Sequence, residues 1–199
     1  MKDAAHSIGQ ELKAIAIFVG VVWGAFILNW IVFLVDFNSF GLVPRTLWGT
    51  VGIVSMPFLH ASWGHLLGNT VPLLILLALL AGSKARSWEI VAEIVVAGGV
   101  LLWIFGRNAT HLGASGLIFG LVVFLIISGL LERRIIPLIV SFLVGFLYGG
   151  TLIWGVLPGT NSQVSWDGHL CGAIAGGLIA WLLTREPKQK SGNFFVGFV

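Results

Sequence analysis

Residues 111–157 read HLGASGLIFGLVVFLIISGLLERRIIPLIVSFLVGFLYGGTLIWGVL. Two apolar runs, 115–131 and 135–157, flank the short charged turn Glu132, Arg133, Arg134. A hydrocarbon core about 30 Å thick takes roughly 20 apolar residues in helical form, so each run predicts one membrane-spanning helix. Working outward, residues 14–35, 65–81, 90–106 and 169–184 have the same character, which predicts an all-α polytopic membrane protein of six transmembrane helices. Of 199 residues, 57% are hydrophobic and only 10% charged, with a mean hydropathy of +1.00. Soluble domains carry about a quarter charged residues, so a water-soluble globule, a disordered chain and a collagen-like fibre are excluded. The single cysteine excludes a disulfide scaffold and a cysteine-cluster metal site. The net charge of +3 comes from basic residues spaced between apolar runs, so the expected partner is the lipid bilayer and not nucleic acid.

An even number of spans puts both termini on one side. Lys2, Lys13, Lys84, Arg86, Arg133, Arg134, Arg185, Lys188 and Lys190 fall in the tails and even-numbered turns, against Arg45 and Arg107 in the opposite loops. The positive-inside rule then places both termini in the cytoplasm, in a multi-pass arrangement in the cell (inner or plasma) membrane. The first span lacks a small-residue cleavage site after it and reads as an anchor. The chain divides into a cytoplasmic tail 1–13, a six-helix domain 14–184 and a cytoplasmic tail 185–199. The first outer loop, 36–62, carries Phe37, Phe40, Leu47, Trp48, Ile53, Met56 and Phe58. It is too apolar for water and is expected to lie half-submerged in the outer leaflet. The last outer loop, 158–166 (PGTNSQVSW), is polar, turn-rich and expected to be mobile.

Polar side chains at membrane depth are costly and mark function. His60, His65, His111 and His169 all lie toward the outer side, leaving only His6 in a tail. Counted from the inner ends of their spans at about 1.5 Å per residue, Ser115, His65 and His169 stand about 22–24 Å up. Asn69 lies one turn deeper than His65 on nearly the same helix face. Irregular backbone at that level is buried in protein or lines a watery cavity. Residues 107–114 enter Ser115 at that level, which predicts a water-filled depression opening outward.

A helix start presents free N–H groups that favour negative charge, so the backbone at Ser115 offers an oxyanion site. A serine hydroxyl needs a base in reach, and His169 at matching depth is the candidate. The repeat Gly168-x3-Gly172-x3-Gly176 permits close helix packing. Against the fourth span, with Gly113, Gly116 and Gly120, it would bring Ser115 and His169 together. Each feature alone also suits a plainer role, in helix packing or backbone hydrogen bonding; their convergence points to a Ser–His pair. No acid presents itself as a third member: Asp167 is two residues before His169 and Asp36 ends the first span. His65 and Asn69 would face the cavity as donors to an oxyanion. A zinc protease wants His-Glu-x-x-His, which is absent; His60 and His65, five apart, would point apart on a helix. No span supplies a central aspartate, and Glu93 lies too near the cytoplasmic end for a proton-coupled transporter.

With His65-x3-Asn69 on the second span, Gly113-Ala-Ser115-Gly116 opening the fourth and His169-x2-Gly172 on the sixth, the chain resembles the rhomboid intramembrane serine proteases across 14–184. The resemblance implies Ser115 as nucleophile and His169 as base, with His65, Asn69 and the Ser115 N–H as oxyanion hole. Gly113, Gly116, Phe119 and Gly172 would support them. It implies transmembrane-protein substrates cut near the outer end of their helix, loop 36–62 as the membrane-embedded loop, 158–166 as a cap and the fifth span as a lateral gate. No metal or cofactor is implied. Departures are Gly168 where alanine is frequent, Phe119 where a tyrosine often stacks on the histidine, and no Trp-Arg pair in the first loop. With no extra domain or seventh span, the chain resembles the minimal six-helix prokaryotic type. The alternative is a catalytically silent rhomboid-like protein that binds membrane clients; such relatives usually lack the serine or histidine.

Overall fold

A computed structural model describes residues 8–32, 36–158 and 165–185. Seven α-helices follow in order: α1 (Ile8–Ile31), α2 (Gly52–Ser55), α3 (Trp63–Ser83), α4 (Ser87–Phe105), α5 (Ser115–Glu132), α6 (Ile135–Gly155) and α7 (Trp166–Arg185). All but the short α2 are long and apolar enough to cross a bilayer, and the chain is an all-helical multi-pass membrane protein. The mobility expected of loop 158–166 concerns mainly 159–164, which lie outside the described residues, as do 33–35, 1–7 and 186–199.

The first helix begins at Ile8, earlier than the expected 14. The charged turn that reads as tail is helical because it packs on a neighbour. Glu11 is buried, and its carboxylate accepts a 2.9 Å hydrogen bond from the hydroxyl of Ser87, the first residue of α4. Likewise Lys84, just past α3, pairs with Glu132 at the end of α5, tying the same end of the bundle.

An apolar helix without a polar face belongs in an interior, and α5 (SGLIFGLVVFLIISGLLE) occupies it. It packs against α3, α4, α6 and α7, burying Leu117, Leu121, Phe124 and Leu125 among Leu76, Ile94, Val144 and Ile179. The peripheral helices bury one stripe and turn the rest outward. In α6 the buried residues Pro137, Ser141 and Val144 all lie in its first half, while Phe142, Phe146, Ile153 and Trp154 are exposed. Loop 36–62 folds into short 3-10 turns around α2 and rests on α4. The Arg45 N–H donates to Trp103 O (3.0 Å) and the Trp103 indole N–H to Thr46 O (2.9 Å). Leu47 and Trp48 project from it, exposed.

The expected glycine pairing is present. A Cβ on Gly172 or Gly176 of α7 would fall on the backbone carbonyl of Gly116 or Gly120 of α5, respectively. Backbone cannot yield as a flexible side chain can, so overpacking here is costly. Gly176→Ala is expected to destabilise the protein by about 1–3 kcal/mol, read as a lowered unfolding temperature in detergent. Gly145→Ala on α6, where a Cβ meets nothing within 4 Å, is expected to stabilise slightly, by about 0.5–1 kcal/mol.

Candidate functional site

The chain enters α5 through Gly113, whose φ of +103° is one that side-chain-bearing residues rarely adopt. A Cβ there would also run into the His65 imidazole and lie 3.2 Å from Asn69 Nδ2. Glycine is needed for both reasons, and it brings the two polar side chains of α3 against the backbone that leads into Ser115. The helix itself has no side-chain cap, so its first N–H groups stay available, as at any uncapped helix start. Ser62, by contrast, caps α3 by accepting from the His65 N–H at 3.2 Å.

Ser115, His169, His65, Asn69 and Phe119 line one open cavity of about 770 Å³. Gly116 and Gly172 sit directly behind it in the α5–α7 contact. The His169 ring stacks on Phe119, with centroids 4.1 Å apart and planes 8° from parallel. Phe119 is one helical turn beyond Ser115, so the stack brings the imidazole to the same face of α5. His169 Nδ1 lies 2.9 Å from the carbonyl oxygen of Gly155, the last residue of α6. A carbonyl only accepts, so Nδ1 carries the proton and Nε2 presents its lone pair. This is the orienting task that a carboxylate performs in a Ser–His–Asp triad. Asp167 does not perform it: its carboxylate accepts from the Arg107 N–H at 2.8 Å and pairs with the Arg107 guanidinium at 3.2 Å.

A profile described as "Rhomboid domain" matches residues 44–186, well over half the chain. The chain belongs to the rhomboid family. An uncharacterized protein of Mycobacterium tuberculosis is 41% identical over 161 residues, covering 76% of this chain and 66% of the relative. One from Mycobacterium leprae is 44% identical over 167 residues, covering 78% and 64%. The rhomboid-like protein 11, chloroplastic, of Arabidopsis thaliana is 27% identical over 161 residues, covering 69% and 54%. The chain thus spans just under two thirds of the length of its mycobacterial relatives.

Within the rhomboid domain, His60 departs from its expected geometry. It does not share a helix with His65, because α3 begins only at Trp63. It folds back instead, so that the two rings meet edge to face with centroids 4.9 Å apart. Its Nε2 accepts from Asn69 Nδ2 at 3.0 Å, fixing the orientation of that amide. Sequence reasoning noticed this histidine but gave it no task. It missed Tyr148 of α6, which also lines the cavity and whose one signal was being the sole tyrosine. The Gly155 carbonyl as such left no signal, since any residue supplies one; the one trace is the glycine itself, because a Cβ there would fall on the Phe119 ring.

Burial, and then the adjacent His65, lower the His60 pKa from 6.5 to about 4. Because the folded value lies below the unfolded one, the unfolded chain binds the extra proton first. Stability is full above pH 6.5 and is lost as pH falls toward 4, by roughly 3 kcal/mol from this group. Unfolding temperatures in detergent should therefore drop over that window in wild type. The drop should be smaller in His60→Gln, which offers Asn69 an acceptor that does not titrate. Superimposable profiles would show that His60 is not the responsible group.

Proposed function

We propose that the chain is an intramembrane serine endopeptidase that cuts single-span transmembrane proteins near the outer end of their helix. The observation that carries this is the His169 imidazole, stacked on Phe119 and held with Nε2 free, in one cavity with Ser115. In this reading Nε2 takes the Ser115 hydroxyl proton as the oxygen attacks the scissile carbonyl. The tetrahedral oxyanion is met by the Ser115 N–H, the His65 side chain and the second N–H of Asn69 Nδ2, whose first is given to His60. His169 then returns the proton to the leaving amine, and water admitted through the cavity hydrolyses the acyl-enzyme by the same steps in reverse roles.

The membrane setting follows the charge asymmetry: both termini in the cytoplasm and the cavity opening outward. Loop 36–62 is the membrane-associated outer loop, consistent with the exposure of Leu47 and Trp48. Substrate reaches the cavity past the outer half of α6, which buries no residue of its own.

The test is cleavage of a model single-span substrate by the purified full chain. Ser115→Ala and His169→Ala are each expected to lower kcat by at least about 10³-fold. Asn69→Ala should lower it by about 10²–10³-fold with little change in KM, and chelators should leave activity unchanged. Cleavage that survives Ser115→Ala would overturn the serine mechanism. A wild-type chain that binds the substrate but neither cuts it nor reacts with a fluorophosphonate would be the silent, client-binding alternative.

A further inference from the structure

The wall of the cavity includes a polar network, with His111 and Ser165 among the lining residues. His111 is 2% exposed and Asp167 5% exposed, and burying such groups costs free energy unless they are paired. His111 Nε2 lies 3.1 Å from Arg107 O. That oxygen only accepts, so Nε2 bears the proton and Nδ1 is an acceptor. Its partner is the Ser165 hydroxyl at 2.7 Å; the other acceptor open to that hydroxyl, Asp167 Oδ1, is at 3.4 Å.

Ser165 stands at the start of α7. Its Oγ accepts from the Gly168 N–H at 3.3 Å, and its carbonyl accepts from the His169 N–H itself at 3.0 Å. On the other side, the His111 backbone exchanges two hydrogen bonds with Leu42 of the outer loop, at 2.8 and 3.1 Å. Four residues on comes Ser115. The Asp167–Arg107 pairing clamps the far end of the same 107–114 segment to the first turn of α7. His111 Nε2 also faces Asp167 Oδ2 at 3.8 Å, so the segment that delivers Ser115 and the turn that delivers His169 are joined by His111 and by Arg107 outside the glycine contact.

We propose that His111 is a positioning residue that, through Ser165, holds the His169-bearing end of α7 in register with Ser115. The assignment rests on the serine-protease reading above. Small displacements of reacting groups, of the order of 1 Å, cost about 10²-fold in rate, so the link acts on kcat and not on substrate affinity.

The experiment compares wild type, His111→Leu, His111→Asn, Ser165→Ala and the His111→Leu/Ser165→Ala double variant, all as full chain in detergent. It measures kcat and KM on the single-span substrate and the rate of fluorophosphonate labelling, each normalised to folded protein by size exclusion and thermal unfolding. His111→Leu and Ser165→Ala are expected to lower kcat and labelling rate by about 10–10²-fold with KM within twofold. The double variant should be no worse than either single. His111→Asn, whose Oδ1 can occupy the place of Nδ1, should stay within about threefold of wild type. Wild-type rates per folded molecule in His111→Leu, losses that multiply in the double variant, or no rescue by asparagine would each overturn the coupling while leaving the serine mechanism standing. A wild-type chain that neither labels nor cleaves would instead overturn the underlying reading, and the assignment of His111 with it.

Discussion

Where Gly116 and Gly120 of α5 meet Gly172 and Gly176 of α7, the two backbones touch with no side chain between them. Lipid offers no hydrophobic force to push helices together, so such contacts rest on dispersion and on how closely backbones can approach. The rest of the site inherits its spacing from this seam. Ser115 immediately precedes Gly116 and His169 lies just short of a turn before Gly172, so both stand at the same end of the seam. Phe119, between Ser115 and Gly120 along α5, becomes the surface on which the imidazole lies flat. A seam made of side chains would hold the helices farther apart and leave the stack nothing to rest on.

The polar residues sort by depth in a way that fits this frame. At one end of the bundle, Glu11 with Ser87 and Lys84 with Glu132 tie helix termini together. Leucines and isoleucines fill the middle, among them Leu73, Leu76, Leu80, Ile94 and Leu121. His60, His65, His111 and His169 gather with Asn69, Asp167 and Ser165 at the other end, around the cavity. Burial of so many hydrogen-bonding groups is tolerable because most of them satisfy one another, His60 Nδ1 being left without a partner among the described residues. The same mutual satisfaction fixes ring tautomers and amide orientations that would otherwise be free.

Much of this was legible in the sequence. Span length and apolar character set the number of membrane crossings. The glycine repeats predicted which helices would touch, and the depth of Ser115, His65, Asn69 and His169 predicted that they would share a level. What escaped depended on information that residue types do not carry. Where α3 starts decides whether His60 and His65 diverge or meet, and its start is set by Ser62 capping the His65 N–H. The Glu11 turn looks like a solvated tail until α4 is placed beside it. The Arg107–Asp167 pairing joins residues 60 apart in the chain, too far for any local pattern to announce.

The partner of His169 Nδ1 is a main-chain oxygen, and this gives the site an unusual genetic profile. A triad that relies on aspartate can be disarmed by one codon change at the acid. Here any residue at position 155 would supply the same carbonyl, but only glycine fits, because a Cβ there would fall on the Phe119 ring and press on His169 Nδ1. Loss of orientation has to arrive by displacement, from a side chain introduced at position 155 or from changes along α6 that shift its last turn. The site's vulnerability at this point is therefore steric instead of chemical, and a scan by single substitutions would register it as a peak at Gly155 with smaller effects along the rest of α6.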